Sequence, residues 1–97
     1  YRIAGTKALP PGKHSIVVNY QQAPRSGRSN IGGDVTINVN GDPVAQGRVE
    51  KVVPFRFSTT ETFDIGMDLG STVSTSYHGK APYAFTGTID KVVVDLK

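Results

Sequence analysis

Apolar and polar residues alternate over several short stretches of the chain, which is the pattern of strands with one buried and one solvated face. The alternation is clearest over 34–40, where Val35, Ile37 and Val39 are separated by polar side chains. The stretch 14–20 alternates in the same way. Because no window of a dozen residues carries the apolar period of a helix, the pattern predicts strands at both places.

A hairpin is predicted directly after the strand over 34–40. Asn40 and Gly41 both tolerate positive φ, and this pair is the strongest short-range hairpin signal in a sequence. Pro43 lacks a backbone N–H, so we expect the return strand to run from about 44 to 53. Gly47 within it indicates a bulge or the close packing of another segment.

Further strands are predicted from weaker alternation at 2–4, 55–57, 73–77 and 85–96. The last of these changes its apolar face near Asp90 and Lys91, which requires a bulge or a strand buried on both sides. A polar loop over 21–33 is longer than most connections between strands.

The composition favours an all-β fold. Val, Ile and Thr total 27 residues, whereas Ala and Leu total nine, and β-branched side chains suit a pleated surface. About seven strands and no helix predict an antiparallel two-sheet sandwich or jelly roll of lectin-like architecture. The chain starts at Tyr1 rather than Met, so we expect residues 1–97 to be a single domain that is either excised from a larger protein or a mature fragment.

Several classes of function are excluded by composition. The chain has no cysteine, which excludes disulfides, thiol nucleophiles and Cys-ligated zinc. No apolar run approaches the roughly 20 residues of a membrane-spanning helix, so no membrane partner is expected. The missing cysteines do not fix the compartment.

Charge is distributed unevenly along the chain. Residues 1–56 carry eight basic and three acidic side chains, whereas 57–79 carry three acidic side chains and no Lys or Arg. Arg25 and Arg28 lie in the long polar loop and would suit an anion or nucleic-acid patch. That loop has no aromatic platform for base stacking, so we prefer solvated loops and expect no nucleic-acid partner.

The most site-like segment is the loop over 64–70, in which Asp64 and Asp68 alternate with glycines. Two carboxylates on a tight loop could hold Ca²⁺ through oxygen ligands, although the spacing is not that of an EF-hand. They could also act as general acid and base, contact a partner surface, or simply form turns by bonding their own backbone. We prefer turn formation and expect no cofactor, with Ca²⁺ as the alternative.

The sequence offers little for nucleophilic or nucleotide chemistry. Ser76, His78 and Asp68 could be combined into a triad, but no Gly-x-Ser-x-Gly elbow accompanies them. No glycine-rich phosphate loop lies between a strand and a helix. We therefore expect no catalytic residue in this chain.

A resemblance to one family is carried by segments that follow one another over nearly the whole chain. They are LPPGKH (9–14), GRVEKVVPFRFS (47–58), ETFDIGMDLGSTV (61–73) and FTGTIDKV (85–92). In this order they resemble the C-terminal β-sandwich domain of long bacterial arylsulfatases. The chain departs from the family at 23–28, where the family loop is richer in glycine, and at Leu69, where the family often has a polar residue.

The resemblance implies that residues 1–97 are a single non-catalytic β-sandwich domain excised from the C-terminus of a larger sulfatase. It also implies a catalytic domain in the same polypeptide, which hydrolyses sulfate esters with a formylglycine beside a Ca²⁺. This chain has no Cys/Ser-x-Pro-x-Arg motif from which formylglycine is made, so it should not cleave sulfate esters itself. Asp64 and Asp68 do not match the metal-site motifs of sulfatases. A periplasmic or secreted parent is among the compartments left open.

Two functions are expected from these observations. The first is an accessory domain that packs on the catalytic domain and stabilises it, with Asp64, Asp68, Tyr77 and Tyr83 as the contact face. The alternative is a lectin-like module that binds carbohydrate, although the chain has no Trp to stack on sugar rings. As an isolated fragment, the domain could also dimerise through a face that normally meets its neighbour.

Overall fold

The structure is a computed structural model that describes residues 1–24, 31–52, 62–70, 72–81 and 83–97. It divides the chain into two compact units, Tyr1–Arg56 and Phe57–Lys97. The regular elements described are the strands β1 (Ile16–Gln22), β2 (Gly33–Val39) and β3 (Asp42–Val49) and a 3-10 helix, Thr75–Tyr77. The described secondary structure is therefore nearly all strand, as the composition predicts. In these residues, no helix has the length and apolar character to cross a bilayer.

The three strands form one antiparallel sheet in the order β1-β2-β3. Val18 pairs with Ile37, and Ile37 pairs in turn with Ala45. Because side chains alternate along a strand, this register gathers apolar residues on one side, here called the apolar face. It carries Ile16, Val18, Tyr20, Val35, Ile37, Val39, Ala45, Gly47 and Val49. The predicted placement of Val35, Ile37 and Val39 on one face of β2 is confirmed.

The opposite face of the sheet is polar and faces solvent. Arg48 pairs across the strands with Asp34, and its guanidinium lies 2.9 Å from the Asp34 carboxylate. The same guanidinium lies 3.6 Å from Glu50. These are exposed ion pairs, which contribute little to stability on their own.

The β2–β3 hairpin turns at Asn40 and Gly41, whose φ angles are 52° and 87°, so the predicted turn is confirmed. The bulge lies away from Gly47, where the sequence predicts either a bulge or close packing. Ile37 pairs with Ala45 and Asn38 pairs with Pro43, which leaves Val44 as the extra residue. The irregularity follows Pro43, which cannot donate to the ladder.

Residues 1–10, here called the strap, lie against the apolar face without strand structure, so the predicted strand at 2–4 is wrong. A Cβ built on Gly47 would lie 2.7 Å from Cγ1 of Ile3, so Ile3 packs directly on the Gly47 backbone. The Lys51 N–H donates to the Tyr1 hydroxyl at 3.0 Å. The strap thus meets the sheet through side chains rather than through an edge ladder, and Gly47 marks a close approach.

His14 fixes the far end of the strap to the hairpin. Its Nε2 lies 2.6 Å from the Pro10 carbonyl oxygen, and its Nδ1 lies 3.1 Å from the Asn40 side-chain nitrogen. Since a carbonyl can only accept and an amide NH₂ can only donate, Nε2 donates to Pro10 and Nδ1 accepts from Asn40 in this arrangement.

The core of this unit is small. Among the described apolar residues, Ile31 and Val39 are the buried ones, at 7% and 9% exposure. Every residue of β1 is exposed. The strap therefore covers only part of the apolar face.

The unit Phe57–Lys97 has no strand among its described residues, so the strands predicted at 73–77 and 85–96 are wrong. At 75–77 the chain forms a 3-10 turn because the Ser74 hydroxyl accepts a hydrogen bond from the Ser76 N–H at 3.3 Å. The segment 85–96 is held to the loop over 64–70 by a hydrogen bond, which the Phe85 N–H donates to the Gly66 carbonyl oxygen at 2.7 Å. The strand predicted at 55–57 lies outside the described residues.

Candidate functional site

Asp64 organises the loop over 62–70 through both of its carboxylate oxygens. Oδ1 accepts a hydrogen bond from the Thr62 hydroxyl at 2.6 Å, and Oδ2 accepts one from the Leu69 N–H at 3.0 Å. The bond to Leu69 closes a turn over residues 64–69, and Gly66 within it has a φ of 79°. Turn formation at Asp64 is thus as expected from the sequence.

The same two hydrogen bonds set the electrostatics of this carboxylate. The Thr62 hydroxyl and, next, the Leu69 N–H hold the pKa of the Asp64 carboxyl below its ordinary value. Both donors stabilise the ionised form. Asp64 is therefore an anion at neutral pH.

Asp68 differs from Asp64 in the use of its oxygens. Oδ1 accepts a hydrogen bond from the Gly70 N–H at 3.3 Å, which is a short Asx turn. Oδ2 is buried and has no hydrogen-bond partner among the described residues. A polar atom of this kind calls for a donor, since an unpaired buried acceptor carries a desolvation cost.

The two carboxylates line one concave surface, here called the loop cleft, of about 680 Å³. Its walls combine these acids with exposed apolar side chains: Phe63 is 81% exposed, Val73 is 90% and Met67 is 41%. The described residues that line it are Thr62, Phe63, Asp64, Met67, Asp68, Thr72 and Val73. The cleft thus presents an apolar rim around two acids.

Tyr77 and Tyr83 pack on each other beside this cleft. Their ring centroids are 5.5 Å apart and the planes meet at 67°, an edge-to-face pair. The Tyr77 hydroxyl accepts a hydrogen bond from the Val73 N–H at 3.1 Å. Tyr77 therefore contacts the backbone of the cleft residue Val73, and the two rings are not coplanar as a sugar-stacking platform would be.

No metal or triad geometry is assembled in the described part of the chain. No group of three or more His, Asp or Glu side chains gathers there. The Ser76 hydroxyl lies 2.9 Å from that of Ser74, and His78 Nδ1 lies 3.4 Å from the Thr72 hydroxyl. The described hydrogen bonds do not join Ser76, His78 and Asp68.

The sequence predicts one contact face that contains Asp64, Asp68, Tyr77 and Tyr83. In the structure the two acids line the loop cleft and the two tyrosines form a ring pair. The prediction missed the parts of the cleft that are not acidic, above all Thr62, Phe63 and Val73. A Thr two residues before an Asp was a local signal for the hydrogen bond at Asp64. No pattern in the sequence indicated that Phe63 and Val73 share a surface.

Comparison with known proteins gives no relative: no protein-family model, curated protein or solved structure matches this chain.

Proposed function

We propose that this chain is an accessory domain of an arylsulfatase-like sulfuric ester hydrolase. It packs on the catalytic domain of the same polypeptide, stabilises that domain and carries no catalytic residue of its own. The proposal begins from the segments that resemble the C-terminal domain of bacterial arylsulfatases. The loop cleft is the observation that gives it a contact surface.

The loop cleft supports a protein partner for two reasons. Large apolar side chains rimmed by polar groups are typical of interaction sites, and Phe63 and Val73 are among the most exposed residues of their unit. Residues 57–79 carry acids but no Lys or Arg, so the complementary surface is apolar with basic groups. Interfaces between domains of one chain bury on the order of 600–1,500 Å².

We further propose that the three-stranded sheet is one layer of a two-sheet sandwich. Val18 and Tyr20 lie on its apolar face and are 63% and 46% exposed. A second layer, packed about 10 Å away, is the ordinary way for a sheet to bury such residues, and here it would cover the part of the apolar face around Val18 and Tyr20.

Binding to the catalytic domain tests the function. We expect the chain to bind the catalytic domain encoded in the same polypeptide, expressed separately, in isothermal titration calorimetry. Val73→Lys places a cation on the cleft rim, where it would face the basic groups of the partner, and should weaken binding by about tenfold or more. Val93→Lys makes the same change at a residue that is 75% exposed and is not among the described residues that line the cleft, and it should change the affinity by less than about twofold.

Three results would contradict the proposal: no binding by the unmodified chain, equal effects of the two variants, or a parent reading frame without a sulfatase domain and its Cys/Ser-x-Pro-x-Arg motif. Binding of neutral or sulfated glycans that is lost in Tyr77→Ala would favour the carbohydrate-binding alternative instead.

A further inference from the structure

A second concave surface lies within the unit Tyr1–Arg56, between the strap and the sheet. We call it the strap groove; its volume is about 530 Å³. Residues 5–10 of the strap form one wall, Ile16, Ile37 and Val39 lie on the sheet side, and Pro43 and Val44 complete the lining. The volume is within the range of about 300–1,000 Å³ that is usual for small-molecule sites.

The walls of the strap groove are mainly apolar and partly open to solvent. Val39 is 9% exposed, whereas Leu9, Ile16 and Val44 are 47%, 56% and 40% exposed. Residual apolar surface around a buried floor favours a ligand with an apolar body. Val44, the extra residue of the bulge, is among the residues that line the strap groove.

Among the described residues that line the strap groove, Lys7 is the one cation, and it favours a negatively charged ligand. Lys7 is in the lining, and no ion pair joins it to another described residue. Residues 1–14 carry Arg2, Lys7 and Lys13 and no acidic side chain. Asp42 is the acid next in sequence to the groove residue Pro43, and it does not line the groove.

We propose that the strap groove binds a small amphipathic anion, with its apolar body on Ile16, Ile37 and Val39 and its carboxylate or sulfonate group at Lys7. The site goes beyond the accessory role and does not depend on it, since the groove and the loop cleft share no residue. Burial of apolar surface supplies the affinity. The ammonium of Lys7 supplies the preference for an anion over a neutral molecule of the same shape.

A matched pair of fluorescent probes tests this site on the 97-residue chain. The anion is 8-anilinonaphthalene-1-sulfonate, and the neutral probe is N-phenyl-1-naphthylamine, which has the same rings without the sulfonate. We expect one saturable site, with the sulfonate bound about fivefold more tightly, which is the gain from one solvent-exposed charge pair. Competition by 1-naphthoate, but not by 1-naphthalenemethanol, would extend the site to carboxylates.

Variants separate the groove from non-specific binding. Lys7→Gln should remove the preference for the sulfonate and leave the neutral probe unchanged, whereas Lys51→Gln, an equal change of charge outside the groove, should leave both affinities unchanged. Ala8→Phe adds a ring to the groove wall and should weaken both probes. Backbone NMR shifts of the unmodified chain should move at 5–10 and 37–44 on binding.

The proposal is overturned if neither probe binds at a single site, if both bind equally, or if Lys7→Gln and Lys51→Gln have the same effect. NMR shift changes confined to residues outside the groove would also overturn it, and this result does not depend on whether the variants fold. If these tests fail, the proposed binding to the catalytic domain still stands, because it is tested separately with variants of the loop cleft.

Discussion

At the residue scale, Asp64 and Asp68 are the same type of side chain in different roles. Asp64 uses both oxygens to hold its own loop together. Asp68 leaves one buried oxygen without a partner among the described residues. The sequence predicted both as turn residues of one loop, because Asp and Gly alternate there. It could not predict which of them keeps an unused acceptor, since that depends on how the loop packs.

The role of Thr62 gives a prediction for Asp64. Thr62→Val removes the donor that contributes most to the lowered pKa, so the pKa of the Asp64 carboxyl should rise toward the ordinary value of about 3.9. A carboxyl whose pKa is lower in the folded state stabilises the fold above its unfolded-state pKa, and this contribution is lost as the pH falls through the lowered value. Thr62→Val should therefore weaken the pH dependence of stability below about pH 4.

A carbon-detected NMR titration of the Asp64 carboxyl measures this pKa directly. Thr75→Val is the control, because Thr75 makes no described hydrogen bond to Asp64. The account of Asp64 is wrong if its pKa does not rise in Thr62→Val, or if it rises as much in the control.

At the element scale, the β2–β3 hairpin was predictable because its signals are local. The alternation over 34–40 and the Asn40-Gly41 pair each act over a few residues. The strap and the 3-10 turn were not predictable in this way. Residues 73–77 alternate like a strand, but the Ser74 hydroxyl satisfies a nearby N–H and competes with a ladder. The conformation of residues 2–4 depends on packing against the sheet, and the sheet is complete only when β3 ends at residue 49.

The contact between the strap and β3 gives a second prediction. Gly47→Ala places a Cβ 2.7 Å from Cγ1 of Ile3, so it should destabilise the chain by about 1–2 kcal/mol through overpacking. The cost should largely disappear in the background Ile3→Ala, which removes the clashing atom. Urea unfolding of the four chains measures this coupling.

Gly5→Ala is the matched control for Gly47→Ala. Its Cβ would come no closer than 3.4 Å to another residue, the Val44 carbonyl oxygen, so we expect a change below about 0.5 kcal/mol. If Gly47→Ala costs the same with and without Ile3, the strap does not pack on β3 as described.

At the scale of the whole molecule, the two units carry opposite charge. Residues 1–56 have eight basic and three acidic side chains, whereas 57–97 have three basic and five acidic ones. Each unit therefore favours partners of a different sign. The charge of each unit agrees with its proposed partner: an anion at the strap groove and a basic protein surface at the loop cleft. The charge division was evident in the sequence, but the two concave surfaces depend on contacts between residues distant in the chain.

We propose that this chain stabilises a catalytic sulfatase domain without contributing a residue to its chemistry. The most direct measurement is the melting temperature of that domain, expressed separately, with and without saturating 97-residue chain. A ligand at about 100 times its Kd adds about 2.7 kcal/mol of stability, so we predict a rise of several degrees while sulfatase activity at low temperature is unchanged. A melting temperature that stays the same at saturating chain would contradict the account.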